Sequence, residues 1–151
     1  MSQGNVEIVS RFVRQLMANV SDHQSDRRSQ AAKLQRGEYD LGSRAALDFL
    51  HPDATWTTRI GEVYEGKVNV ARFAGQVMEA WEDYSLSLRE ITDLGRAQVL
   101  AEWEVEMRGA ASGIWGRSTI FAMVTLRDGL ISRVVESSDR AGALKVVGLE
   151  E

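Results

Sequence analysis

Between Ala101 and Arg108 apolar and charged residues alternate without a break: Ala, Glu, Trp, Glu, Val, Glu, Met, Arg. Side chains of a strand point to opposite faces in turn, so this stretch predicts a strand with one dry face and one wet face. The dry face carries Ala101, Trp103, Val105 and Met107. The wet face carries Glu102, Glu104, Glu106 and Arg108. Any fold containing this strand must cover one side of a sheet and leave the other in water. The next run, Ile120 to Val124, is apolar throughout, which predicts cover on both faces. The third, Ile131 to Ser138, sets a single carboxylate, Glu136, among small and apolar residues.

Turn chemistry joins these runs. Asp128-Gly129 is a strong hairpin signal, and Gly95-Arg96 and the Arg108 to Gly113 segment are glycine-bearing connections of the same kind. The strands from Tyr84 onward are therefore expected to form an antiparallel meander. In the first of them, Tyr84, Leu86 and Leu88 share one parity and Ile91 takes the other. A one-residue slip of this kind predicts a β-bulge near Arg89-Glu90 that bends the sheet.

Helical spacing dominates the first half. Val6, Val9, Val13, Leu16, Met17 and Val20 recur every three or four residues, which predicts a helix over Asn5 to Val20. Val70, Phe73, Ala74, Val77 and Trp81 do the same over Lys67 to Trp81. Leu41 to Leu50 reads as a short helix ended by His51-Pro52-Asp53, because proline disfavours helical geometry in the residue before it. Ala54 to Thr58 follows as a strand, and Arg59 to Gly66 as a turn with a short strand. Asp139 is placed to cap a last helix, Arg140 to Val147. Ser21 to Gly37 is polar and reads as a short exposed helix or a flap. Helices, a short strand pair, a helix and then four strands make an α+β chain, with helices over one face of a curved antiparallel sheet. The length of 151 residues suits one domain, 1–151.

Composition removes several functions. A net charge of −4 leaves no excess of cations to neutralise a nucleic-acid backbone. The absence of cysteine excludes thiol catalysis and disulfides and fits a reducing, cytoplasmic setting. No apolar run approaches the ~20 residues that cross a bilayer, and the first residues lack a secretory pattern. His23 and His51 are far apart in sequence, so no metal is expected, and no cofactor is implied.

The strings FLHPDATW, YEGKVNVARF, AWEDYSLSLREITDLG, VTLRDGLISRVVESSDRAGAL and GLEE resemble SnoaL-like proteins of the nuclear transport factor 2-like superfamily. The resemblance covers most of the chain from Gly37 onward and the first helix. It implies a cone-shaped α+β barrel around an internal pocket. It does not by itself choose an activity, because the superfamily includes polyketide cyclases, ketosteroid isomerases, limonene-epoxide-hydrolase-like enzymes, dehydratases and non-enzymatic binders. The ketosteroid isomerase base would fall near Thr58, which does not ionise usefully, and that family's oxyanion-hole tyrosine would fall near Phe12, which has no hydroxyl. The Arg-x-Asp pair of the epoxide hydrolases becomes Trp103 and Val105. The last-strand acid is matched by Glu136, which is enough for the single-carboxylate scheme of SnoaL-type cyclases.

Glu136 is thus the candidate catalytic residue, a general acid/base. Parity and the resemblance together set Phe12, Leu16, Trp56, Thr58, Phe73, Val77, Trp81, Trp103, Val105, Ile120, Ala122 and Val134 as the walls of a site for a small, apolar organic ligand of polyketide or terpenoid type. The expected chemistry is cyclisation, isomerisation, dehydration or epoxide opening. The competing expectation is a non-catalytic ligand-binding or assembly module of the same fold. Trp115, of the opposite parity, belongs at a rim or an interface. Phe121 and Met123 face outward from a central strand and need cover, which predicts a homodimer through the outer sheet face.

Overall fold

The computed structural model describes residues 2–25, 47–109, 112–146 and 148. Helix α1 (Ser2–Ser25) leads, and a single 3-10 turn (Leu47–Phe49) precedes strand β1 (Leu50–Thr57). Strand β2 (Val63–Glu65), helix α2 (Lys67–Ala80), and strands β3 (Trp81–Gly95), β4 (Gln98–Gly109), β5 (Trp115–Arg127) and β6 (Leu130–Ser137) follow, and α3 (Arg140–Lys145) ends the order. The six strands form one sheet in the order β2-β1-β6-β5-β4-β3.

The meander is as the alternation predicts. Ala101, Trp103 and Val105 of β4 are buried on one face, with Ile120, Ala122 and Val124 of β5 beside them. Asp128 and Gly129 both take positive φ, 55° and 76°, the left-handed pair that a two-residue hairpin turn demands. The register of β3 against β4 shifts between Leu88 and Glu90, the bulge that the parity slip predicts. Asp139 caps α3, its Oδ1 accepting from the Gly142 backbone N–H at 2.6 Å.

Four expectations need correction. The sheet is mixed: β1 runs parallel to β6, with Trp56 opposite Val134 and Thr57 opposite Val135. Among the described residues it is also open, with β2 and β3 at its edges, and does not close into a barrel. Strand β1 begins at Leu50 and passes through His51-Pro52-Asp53, where the sequence predicts the end of a helix. Pro52 is tolerated there because the β1–β6 register is interrupted between Leu50 and Thr55, and no ladder N–H is needed. Trp81 is the first residue of β3, opposite Gly109, not the last of α2. Its spacing fits the helical stripe, but pairing with β4 decides its backbone. The expected start of a helix at Leu41 and the Ser21–Gly37 segment beyond Ser25 lie outside the described residues; up to Ser25 the chain continues α1.

Two cores result. On the inner face α1 lays Val9, Phe12 and Val13 against Trp56, Trp103, Ile120 and Val134, all buried. Each such side chain contributes roughly 1.5–3 kcal/mol by leaving water. On the outer face α3 lays Ala143 and Leu144 on Leu100 and Met123, with Phe121 partly buried beside them. Part of the cover that the outward residues need therefore comes from the chain's own α3. Trp115 lies 62% exposed at the start of β5, beneath the guanidinium of Arg108 at 5.5 Å.

Candidate functional site

The inner face of the sheet is built around an aromatic file. Phe12 from α1 meets Phe49 at 6.1 Å between ring centroids and Trp56 at 6.3 Å, and Trp56 meets Trp103 at 6.4 Å. Strand parity aligns the rest. Trp103 lies opposite Ile120 on one side and Leu88 on the other. Ala122 lies between Ala101 and Glu136. Phe12, Trp56, Trp103, Val105, Ile120, Ala122 and Val134 thus meet in one buried cluster, with Leu16 and Phe73 packed against it. Phe73 is stacked on Tyr64 of β2 at 4.5 Å, so its ring braces α2 against the sheet edge. Val77 is half-buried on the next turn of α2. The side chain of Trp81 lies outside the described residues.

Glu136 stands at the end of this cluster. The parallel register that pairs Thr57 with Val135 puts Thr58 level with it. Its carboxyl is held above the usual carboxylate range, first because burial disfavours the charged form; the Trp56 indole N–H and the charge of Arg59 pull the other way without offsetting burial. The Trp56 N–H favours the carboxylate, yet Nε1 is buried with no acceptor in hydrogen-bond geometry. The two groups are therefore near neighbours, but their geometry does not close a hydrogen bond. A buried donor without a partner is costly, and an acceptor placed between the indole and the carboxyl would satisfy it.

Thr58 has a different task from the one its position suggests. Its backbone N–H donates to the Glu62 carbonyl at 2.8 Å, and its hydroxyl accepts from the Glu62 N–H at 3.1 Å. Both bonds close the turn between β1 and β2. That turn projects Arg59, whose Nη1 donates to Ser118 Oγ on β5. Neither Arg59 nor Ser118 carries a periodic signal that sequence reasoning would pick out. Tyr84 was legible only as a strand residue sharing the parity of Leu86 and Leu88. It packs against the inner cluster, and burial together with the charge of Glu136 pushes its phenol up to about 12, against the opposing charge of Arg59. At neutral pH the hydroxyl keeps its proton and is a donor.

Among the described residues no three metal-ligating side chains converge, and no helix is long and apolar enough to cross a membrane. His51 is part of a separate group at the sheet margin: its Nδ1 accepts from the Asp53 backbone N–H at 3.1 Å, and Arg127 lies 3.1 Å from its ring nitrogens.

Residues 34–134 match the model of the SnoaL-like domain. No curated protein matches the sequence. Among solved structures, a protein described as a SnoaL-like polyketide cyclase from Jannaschia sp. CCS1 superposes with a TM-score of 0.68 at 16% identity, covering 99% of this chain and 93% of its own. A protein described as a polyketide cyclase from Xanthomonas campestris pv. campestris gives 0.63 at 22% identity, with 91% and 92% covered. A nuclear transport factor 2-like protein of unknown function from Exiguobacterium sp. 255-15 gives 0.65 at 14% identity, with 88% and 98% covered. At these identities the likeness is one of fold.

Proposed function

The chain belongs to the SnoaL-like domain family, and from that premise we propose that it binds a small, largely apolar organic molecule on the inner face of the sheet and that Glu136 acts there as a general acid/base. The observation that carries this reading is the position of Glu136: a carboxyl desolvated at the end of an apolar, aromatic cluster, next to an indole N–H that lacks an acceptor. A carboxylate in that setting is a stronger base than one in water, and it operates closer to neutral pH. The similarity to proteins described as polyketide cyclases supports a substrate that supplies its own acidic C–H bonds.

Turnover of a panel of polycyclic carbonyl compounds with acidic C–H bonds, by the native chain and by Glu136→Gln, tests the proposal. The amide keeps the shape and removes the base, so kcat should fall by roughly 10²–10⁴. With the native chain, kcat/KM should rise with pH as Glu136 loses its proton, through a midpoint above the ordinary carboxylate value. Unchanged turnover in Glu136→Gln would sink the reading. A second reading, a non-catalytic binding or assembly module, draws on Phe12, Trp56 and Trp103, whose buried rings already occupy much of the inner face.

A further inference from the structure

Arg59 and Tyr84 approach the Glu136 end of the inner face from two directions. Arg59 leaves the turn after β1 and reaches Ser118 on β5. Ser118 is the strand partner of Val105, and Val105 is the partner of Leu86. Tyr84 is the next residue on the Leu86 face of β3 and packs against the inner cluster. Ser118, Ile120 and Ala122 share one face of β5, and Ala122 is the partner of Glu136. The charges of Arg59 and Glu136 both act on Tyr84, and that of Arg59 also acts on Glu136. One base, one neutral O–H donor and one cation thus lie along one face of the sheet and act on one another. The helix position that lacks a hydroxyl, Phe12, is not needed to supply the donor.

From this arrangement we propose that Tyr84 and Arg59 form an oxyanion-holding pole facing Glu136, and that the site takes ligands with a carbonyl or phenolic oxygen rather than plain hydrocarbons. This rests on the reading of Glu136 as the base. The Glu136 carboxylate takes a proton from the carbon beside a ligand carbonyl. The C–H electron pair becomes the enolate double bond, and the carbonyl π pair moves to oxygen. The Tyr84 O–H donates to that oxygen, and Arg59 balances its charge. The proton rests on the Glu136 carboxyl, where it exchanges with solvent before a proton is returned to carbon, so no oxidant or further reactant is required. Donors fixed before the charge develops are worth more in a water-poor site than in water.

Two measurements test the pole apart from the base. The first is exchange of the acidic C–H bonds of 2-tetralone in heavy water, followed by NMR. Tyr84→Phe should lower kcat by about 10²–10³ with KM within a few-fold. Arg59→Gln should lower it less, and Arg59→Lys should recover part of the loss because the charge returns. The second is binding of 4-nitrophenol, which needs no turnover. Tyr84→Phe and Arg59→Gln should each weaken it by roughly 10-fold, the effect of one lost hydrogen bond to a charged or polarised oxygen, whereas Glu136→Gln should not. Arg59 is exposed on a turn, so its variants report even if Tyr84→Phe fails to fold. Exchange that needs Glu136 but is indifferent to Tyr84 and Arg59 overturns the pole and leaves the base standing. Equal binding of 4-nitrophenol by all variants overturns the pole outright. Exchange that is absent from the native chain or untouched by Glu136→Gln overturns the base, and the catalytic role of the pole with it.

Discussion

Glu104 and Glu136 are carboxylates on the same sheet, held in opposite ways. Glu104, on the outer face, is met by Arg117 Nε at 3.2 Å and Arg89 at 3.7 Å, and its neighbour Glu106 by Arg117 at 2.5 Å. Glu136, on the inner face, has burial against it, with the indole of Trp56 and the charge of Arg59 in its favour. The outer carboxylates are ion-paired, with one arginine shared between two of them. The inner one is desolvated and keeps its proton to a higher pH than a carboxyl in water. One residue type is ion-paired or desolvated according to which parity of a strand it occupies, and a shift of one register position in either strand would move its carboxylate to the other face.

The largest expected effect lies in the inner face's own packing. Trp103→Ala should cost about 3–5 kcal/mol in a denaturant titration, because it opens a cavity under Trp56 and Ile120. Trp115→Ala on the outer face should stay within ~0.5 kcal/mol, since the ring is mostly in water. Equal losses at the two tryptophans would erase the contrast between the faces.

Next comes Glu136 itself. Its folded-state carboxyl is raised, so the folded chain holds this proton more tightly than the unfolded chain does. Stability is then lost as pH rises from the ordinary carboxylate value near 4.5 through the raised value. Glu136→Gln should therefore melt higher than the native chain at pH 7, while the advantage should vanish below pH 4.5. A variant that melts lower at pH 7 would mean that the carboxylate is stabilising, like those on the outer face. The smallest effect belongs to Arg117→Ala. Arg117 itself is mostly in water, so a loss of about 0.2–1 kcal/mol that shrinks in high salt is expected from thermal melts at two ionic strengths.

What could be read from the sequence follows the range over which each constraint acts. The alternation from Ala101 to Arg108, the bulge after Leu88 and the Asp128-Gly129 turn are all set by neighbours a few residues away. The face of Glu136 is legible for the same reason. The parallel pairing of β1 with β6 is not, because no local pattern distinguishes a parallel partner from an antiparallel one, and Pro52 disguises the strand. Trp81 misleads because helical spacing and strand pairing compete for it, and the longer-range contact with Gly109 prevails. Tyr84 shows its parity but not its neighbours, since the bend of the sheet decides which end of β3 approaches Glu136. Arg59 shows nothing at all: its reach to Ser118 depends on a turn closed by Thr58 and on a strand far along the chain.

The parallel β1–β6 pair has a consequence for how the molecule comes into being. The β3–β6 meander joins strands that are consecutive in sequence and can close turn by turn. The pairing of Trp56 with Val134 must instead close a loop that contains nearly the whole sheet, and such contacts form slowly. Until β1 arrives, β6 is a bare edge offering its N–H and C=O groups to any other chain. The seam between β1 and β6, beside Glu136, therefore rests on pairing between strands far apart in sequence, which is the kind of pairing most exposed to mispairing.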